Sequence, residues 1–165
     1  MRRHSMRRRS STGLIFVLLA IVILVPRAEA QDTDVAVIVN PNSAVTNLSL
    51  ADLRKIFAGG KRSWPGGTRV KIIVRPPGSH ERIVLLRLLG MSESEYKQYW
   101  AAQVFRGDAD EEPVNLPSVG MVKEAAKTFP GAIGLTDARD IKPGMDLKVL
   151  KVDGRLPGDP GYPLH

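Results

Sequence analysis

The stretch VRPPGSHERIVLLRLLG, residues 74–90, has the pattern of a strand end, a Pro-Pro-Gly turn and the start of a helix. Arg75 lies directly before the turn, and Ser79 lies where the helix is predicted to begin. The first amides of a helix have no intrahelical acceptor, and the helix dipole adds partial positive charge there. The stretch therefore predicts either a cradle for a small anion or an ordinary strand-to-helix connection.

Four residues of this turn are candidates for an anion site. The Arg75 guanidinium suits bidentate binding of phosphate or carboxylate. Gly78 permits close approach of the backbone, and the Ser79 hydroxyl can donate to an oxyanion. His80 can add a further donor. In the competing interpretation Ser79 is only a helix cap, and Arg75 only pairs with a surface acid.

Working outward from this stretch, strand and helix patterns alternate along the chain. Four short runs rich in apolar and β-branched residues predict strands: residues 34–40, 70–74, 131–135 and 145–152. Four segments with apolar residues at helical spacing predict helices: residues 50–58, 79–89, 91–105 and 119–128. This alternation predicts an α/β fold with a sheet of about four or five strands flanked by helices.

The first thirty residues have the pattern of an export signal. Arginines come first, residues 13–25 form an apolar run, and Ala28-Glu29-Ala30 is an A-x-A cleavage site. The apolar run is shorter than the roughly 20 residues that span a bilayer. The alternative is an uncleaved anchor with its arginines inside. We expect a periplasmic or secreted protein that meets the membrane only through residues 1–30, before cleavage.

Removal of this signal changes the charge balance. Residues 1–30 hold six of the 24 basic and one of the 17 acidic residues, which leaves 18 basic and 16 acidic residues. The remaining chain is nearly neutral, so its charge does not favour nucleic acid as a partner. We expect a domain at residues 31–153 and an irregular tail, rich in proline and glycine, at residues 154–165.

The residue inventory argues against catalysis and metal binding. The chain has no cysteine, which excludes thiol nucleophiles and thiolate metal sites. Only His80 and His165 follow residue 30, and no HExxH or GxSxG pattern occurs. The acidic run at residues 108–112 lacks the spacing of a calcium loop. We therefore expect a protein that is not an enzyme, with no catalytic residues, metal site or cofactor.

Five motifs occur in an order that is typical of one protein family. They are Ile56-Phe57-x-Gly59, then Trp64 with Gly67, Arg75-x-x-Gly78-Ser79, Phe105-x-Gly107 and Pro130-Gly131-Ala132-Ile133-Gly134. In this order they resemble the phosphate ABC transporter substrate-binding proteins, in particular short members of the type 2 periplasmic binding fold. The resemblance implies a single-lobe, periplasmic-binding-protein-like α/β domain with a mixed sheet. It also implies a phosphate-like oxyanion as ligand, and an ABC permease or envelope sensor as partner.

The site residues that the resemblance implies are Arg75, Gly78 and Ser79, which match the family's phosphate contacts. The family pattern continues Gly-Ser-Gly-Thr, whereas this chain has His80 and Glu81 after the serine. Glu81 places a negative charge where an anion would bind, although a carboxylate also suits the start of a helix.

The loop after the first predicted strand supplies further candidates, Ser43 and Thr46, which are otherwise ordinary loop and cap residues. The chain is also about half the length of the two-lobed family members. Two functions follow from the sequence. One is an exported oxyanion-binding protein for ABC-type phosphate uptake or sensing. The other is an envelope protein-interaction module with a vestigial anion site.

Overall fold

The structure, a computed structural model, describes residues 33–165. The predicted export signal at residues 1–30 lies outside the described residues. The strands, in chain order, are β1 (Val35–Val39), β2 (Asn47–Leu48), β3 (Lys71–Val74), β4 (Val114–Asn115), β5 (Ala132–Asp137) and β6 (Lys148–Val152). The helices are α1 (Leu50–Phe57), α2 (His80–Leu89), α3 (Glu93–Phe105) and α4 (Val119–Thr128), with one 3₁₀ turn at Ala138–Asp140.

The α/β fold class predicted from the sequence is confirmed. The helices begin after capping serines, and the Ser92 side chain forms a capping box with Glu95. The sheet has six strands rather than four or five, because β2 and β4 join its edges. These two strands have two residues each, so they are too short to show a sequence pattern.

The direction of β1 decides which loops meet at each of the two edges of the sheet where strands begin and end. The strand order is β2-β6-β1-β5-β3-β4, and β1 is antiparallel to both of its neighbours, β5 and β6. The pairs β2–β6, β3–β5 and β3–β4 are parallel. The carboxyl ends of β3 and β5 therefore meet at the edge where β1 begins. The loop that follows β1 lies at the opposite edge.

Alternate residues of β1 point into two separate cores. Val35, Val37 and Val39 belong to a large core that includes residues of α1, α2 and α3. Ile38 belongs to a smaller core with residues of α4. Because successive strand residues point to opposite faces, α1–α3 cover one face of the sheet and α4 covers the other.

Helix α2 is less apolar on its buried side than its sequence predicts. Ile83 is 47% exposed, whereas Glu81 and Arg82 are buried. The Arg82 guanidinium donates two hydrogen bonds to Glu93, at 2.8 and 3.0 Å, and lies 3.8 Å from the centre of the Tyr96 ring. A long cationic side chain thus fills the contact with α3, and this leaves Ile83 facing solvent.

The last twelve residues form no helix or strand, yet they pack on the start of β1. Tyr162 and Leu164 are buried in the large core. The Val35 amide donates to the Leu164 carbonyl at 2.8 Å, and the Tyr162 hydroxyl donates to the Val35 carbonyl at 2.8 Å. The proline- and glycine-rich segment is therefore fixed by its contacts with β1.

Candidate functional site

The start of α2 lies at the carboxyl end of β3, as the sequence predicts. Gly78 has a φ of +86°, which favours glycine in this turn. The Ser79 hydroxyl accepts a hydrogen bond from the Arg82 amide at 3.3 Å and donates one to the Pro76 carbonyl at 2.9 Å. Ser79 is thus an N-cap whose hydrogen-bonding capacity is already in use.

Arg75 lies against the start of the helix, and its guanidinium is only partly engaged. Its Nη1 donates to the Leu116 carbonyl at 3.1 Å. Its Nε lies 3.8 Å from a carboxylate oxygen of Glu81, beyond hydrogen-bond distance. Among the described residues this buried Nε has no hydrogen-bond acceptor. A buried donor without a partner is unfavourable, so an additional oxygen at this position would be stabilising.

Glu81 is the negatively charged neighbour of Arg75. Its side chain is 6% exposed, and that of Arg75 is 14% exposed, so the two charges face each other in a largely desolvated space. At this separation the carboxylate attracts the guanidinium without hydrogen bonding to it. An anion that approaches Arg75 must therefore compete with Glu81.

A second carboxylate, Asp137, belongs to the same edge of the sheet. It ends β5, and its Oδ2 accepts hydrogen bonds from Thr33 at 2.9 Å and from Arg139 Nη2 at 2.8 Å. The Arg139 side-chain hydrogen bonds lower the pKa of Asp137 well below its usual range, although burial acts in the opposite direction. His80 Nδ1 lies 3.7 Å from Oδ2, so a protonated His80 forms an ion pair with Asp137.

No motif in the sequence indicates Asp137 as a neighbour of this turn. The available signal was its position two residues after the predicted strand of residues 131–135. Two parallel strands end at the same edge of a sheet, which places Asp137 beside the turn that follows β3. Local patterns contain no information on strand direction, so this proximity emerges only from the topology.

Two backbone donors remain available at the start of α2. Within residues 33–165, the amides of His80 and Glu81 make no hydrogen bond to the backbone. Such amides are suitable partners for an oxyanion, because they also lie at the positive end of the helix dipole. The local donors are thus these two amides and Arg75 Nε, and the local acceptors are the Glu81 and Asp137 carboxylates.

Ser43 and Thr46 do not belong to this group of residues. They follow β1, and the antiparallel direction of β1 places their loop at the opposite edge of the sheet. A five-residue strand separates the two edges by about 17 Å. Asn40, in the same loop, donates to the carbonyls of Ala126 and Lys127 at the end of α4, so this loop supports α4.

The aromatic residues of α3 belong to the core. Tyr96 and Trp100 are 4% and 3% exposed and lie in the large core. Within residues 33–165, no cluster of three or more histidine and carboxylate side chains could hold a metal ion. No helix within the same residues has the length and apolarity needed to cross a membrane.

Solved structures show the same fold, although comparisons by sequence show no relative. No protein-family model and no curated protein matches the sequence. An ABC-type phosphate transport receptor from Vibrio cholerae matches with a TM-score of 0.60 and 19% identity, over 76% of this chain and 48% of that chain. PstS from Borrelia burgdorferi matches with a TM-score of 0.57 and 19% identity, over 76% of this chain and 49% of that chain.

A third matching structure was solved with bound phosphate. A Clostridium perfringens protein, assigned as a phosphate ABC transporter substrate-binding protein and solved with bound phosphate, matches with a TM-score of 0.59 and 19% identity. The match covers 74% of this chain and 46% of that chain. This chain therefore aligns with slightly less than half the length of these proteins. The resemblance indicated by the motifs is confirmed at the level of the fold.

Proposed function

We propose that this protein is an exported, non-enzymatic solute-binding protein that holds a phosphate-like oxyanion at the start of α2. In this proposal residues 1–30 are removed on export and residues 31–153 form the binding domain. The protein then serves ABC-type phosphate uptake or sensing. The fold is that of substrate-binding proteins of phosphate transporters, which supports this assignment.

The observation that carries the proposal is the unpartnered Nε of Arg75 beside free helix amides. Arg75 Nε is buried without an acceptor among the described residues, and the amides of His80 and Glu81 are unpaired with the backbone there. One oxyanion within reach of these three donors would satisfy all of them. Charged hydrogen bonds to a guanidinium are about twice as strong as neutral ones, so Arg75 would contribute most.

The position of Glu81 beside Arg75 predicts that its negative charge lowers the affinity for phosphate. Its carboxylate lies 3.8 Å from Arg75 Nε, so it competes with the ligand for the guanidinium. The Glu81→Gln substitution removes this negative charge and keeps the size of the side chain. We expect phosphate to bind at least about fivefold more tightly to the variant, since like charges a few ångströms apart repel.

Calorimetric titration of the purified protein with inorganic phosphate tests the proposal, with sodium chloride at matched ionic strength as the reference. Arg75→Gln is expected to abolish the binding heat. The exposed Glu124→Gln and Arg155→Gln variants serve as controls and are expected to bind like the wild type. Absence of heat in both the wild type and Glu81→Gln at millimolar phosphate would exclude the oxyanion proposal.

A second candidate function is an envelope interaction module whose anion site is vestigial. The observation that favours it is that Ser79 is consumed as a cap, while Glu81 already faces Arg75. In this case Arg75→Gln leaves the cellular function of the protein intact. The two functions are separated by phosphate binding in the wild-type protein, which only the first one predicts.

A further inference from the structure

A groove lies near the amino end of β3, away from the start of α2. It is open to solvent, and the space in it together with the solvent at its mouth amounts to about 550 Å³. One side is formed by residues 61–62 and 69–72, and the other by residues 109–113. The groove shares no residue with the candidate site at Arg75, so its properties can be tested separately.

The first side of the groove has four basic side chains, which we call the basic wall: Lys61, Arg62, Arg69 and Lys71. The hairpin before β3 holds this wall in place. Ser63 and Arg69 form an antiparallel bridge, and the Val70 amide donates to the Arg62 carbonyl at 2.8 Å. The four positive charges are therefore fixed on one short element of regular backbone.

The opposite side is an acidic segment, residues 109–113, which we call the acidic strap. It contributes Asp110, Glu111 and Glu112 to the groove. Asp110 pairs with Arg69, and Glu111 lies 3.6 Å from the Lys71 ammonium group. No ion pair to Lys61, Arg62 or Glu112 is found in the part of the chain that the structure describes. The strap thus pairs with two of the four basic side chains, and with Glu112 it brings three negative charges to a groove that has four positive ones.

The two ion pairs hold the strap only weakly. The Arg69 and Asp110 side chains are 71% and 59% exposed, and the Glu111 side chain is 69% exposed. Exposed ion pairs add little stability, because water screens the charges and long side chains lose freedom on pairing. The strap carboxylates can therefore give up their partners to a competing acidic chain at small cost. The strap backbone stays anchored, because the Ala109 amide donates to the Gln103 carbonyl at 3.1 Å and β4 follows the strap directly.

The floor of the groove is apolar and rigid. It includes Val70, Ile72 and the edge of the buried Trp100. Gly59 lies directly over Trp100, and a side chain at this position would come within 2.8 Å of the indole ring. The floor therefore offers a fixed apolar surface below the charged rim, which is the arrangement that suits a short peptide.

We propose that this groove docks an acidic, extended peptide segment of a partner protein, and that the acidic strap is its built-in competitor. The strap itself shows that an acidic chain of this kind fits along the basic wall. An acidic ligand would pair with Lys61 and Arg62 as well, which the strap leaves free. Charge complementarity to these two side chains, together with the position of the strap along the wall, favours an acidic peptide as the occupant.

The proposal is tested by fluorescence anisotropy with a labelled peptide whose sequence is that of residues 107–115, GDADEEPVN. The full-length protein is compared with a variant whose strap is neutralised by Asp110→Asn, Glu111→Gln and Glu112→Gln. We expect the peptide to bind this variant about five- to tenfold more tightly, because its competitor has lost its charge. The affinity is also expected to fall between 50 and 500 mM salt, within the range where surface charges are screened.

A second variant tests the basic wall without touching the strap. Lys61→Gln with Arg62→Gln is expected to weaken peptide binding about tenfold. The matched control, Lys142→Gln with Lys151→Gln, removes two exposed lysines elsewhere and is expected to bind like the wild type. Circular dichroism before each titration confirms that the folded state is retained. Chemical-shift changes at the Trp100 indole, measured by NMR, locate the peptide in the groove.

Three results would overturn the proposal. The first is equal affinity of the wild type and the neutralised-strap variant. The second is an equal loss of affinity in the Lys61→Gln, Arg62→Gln variant and in the control Lys142→Gln, Lys151→Gln variant. This result would indicate nonspecific charge attraction. The third is stronger binding to anionic vesicles of phosphatidylglycerol than to the peptide, which would make the groove a lipid contact. A negative result leaves phosphate binding at Arg75 unaffected, because that site uses different residues.

Discussion

Each end of β3 lies beside a pair of oppositely charged side chains, and the two pairs differ in their exposure to solvent. At the carboxyl end, the Arg75 and Glu81 side chains are 14% and 6% exposed. At the amino end, those of Arg69 and Asp110 are 71% and 59% exposed. The two pairs have the same chemistry, but only the first is shielded from water. Burial makes the carboxyl end selective and costly to alter, whereas exposure makes the amino end replaceable.

This difference suits the two different tasks that we propose for the two ends. A small ion gains most from a few desolvated donors in fixed positions, such as those at the start of α2. A peptide gains binding energy from a wider surface, such as the basic wall, where it forms many weak contacts with exposed side chains. Four substitutions test the contrast, from the largest expected loss of stability to the smallest.

Gly131→Ala should have the largest effect, because the hairpin of the basic wall rests on this glycine. A side chain at Gly131 would lie 1.7 Å from the Arg69 carbonyl oxygen. We expect the free energy of unfolding to fall by about 3 kcal/mol or more, since backbone on both sides must move. Urea denaturation followed by tryptophan fluorescence measures it. Gly120→Ala in α4, where the nearest atom is 3.9 Å away, is the control and should be neutral or stabilising. A tolerated Gly131→Ala would show that the hairpin is mobile.

Glu93→Ala tests the buried charges behind the start of α2. It leaves Arg82, which is 4% exposed, without its carboxylate partner. We expect a loss of about 2 kcal/mol, less than for a fully buried pair because the Glu93 side chain is 29% exposed. Thermal and urea denaturation measure the loss, and Asp146→Asn on an exposed loop serves as the control. A loss of stability as small as that of the control would mean that water hydrates the Arg82 guanidinium in the Glu93→Ala variant.

Asp137→Asn should cost about 1–2 kcal/mol at neutral pH, because Arg139 and Thr33 lose their charged acceptor. The folded-state pKa of Asp137 is lowered from an ordinary value of 3.8, so the folded state favours the ionised carboxylate. This stabilisation is complete above that value and is lost as the pH falls below about 4. We expect the variant to lose less stability than the wild type between pH 5 and pH 3 in urea denaturation. Parallel curves for the two proteins would contradict the assignment.

Asp110→Asn should have the smallest effect on stability. Both members of its ion pair are largely exposed, so we expect a change below about 0.5 kcal/mol that disappears in 1 M salt. Denaturation at low and high salt measures it, with Asp108→Asn, whose pair with Arg106 is similarly exposed, as the comparison. A loss close to that of Asp137→Asn would mean that the two ends of β3 do not differ as described.

The elements with a strong local signal could be predicted from the sequence. Helix α3 was recognisable from its capping box, and β1 from five consecutive apolar residues, all of them buried. β4 was not recognisable, because a two-residue strand exists only through its pairing with β3. Local patterns specify an element, but the pairing of short strands depends on the rest of the fold.

The candidate site was predictable in part for the same reason. Arg75 and Ser79 adjoin a turn whose pattern is local, and both lie at the start of α2 as expected. Ser43 and Thr46 do not lie with them, because the position of their loop depends on the direction of β1. Asp137 was missed because its position depends on the parallel pairing of β3 with β5. Strand direction is set by long-range packing, so a single sequence reveals it poorly.

The packing of the last residues on β1 has a consequence for how the chain reaches its native state. Val35 is hydrogen-bonded to Tyr162, which lies 127 residues later in the sequence. The first strand to leave the ribosome therefore stays unpaired until nearly the whole polypeptide has been made. Such distant pairings give slow folding. During that interval the apolar β1 segment remains accessible to chaperones.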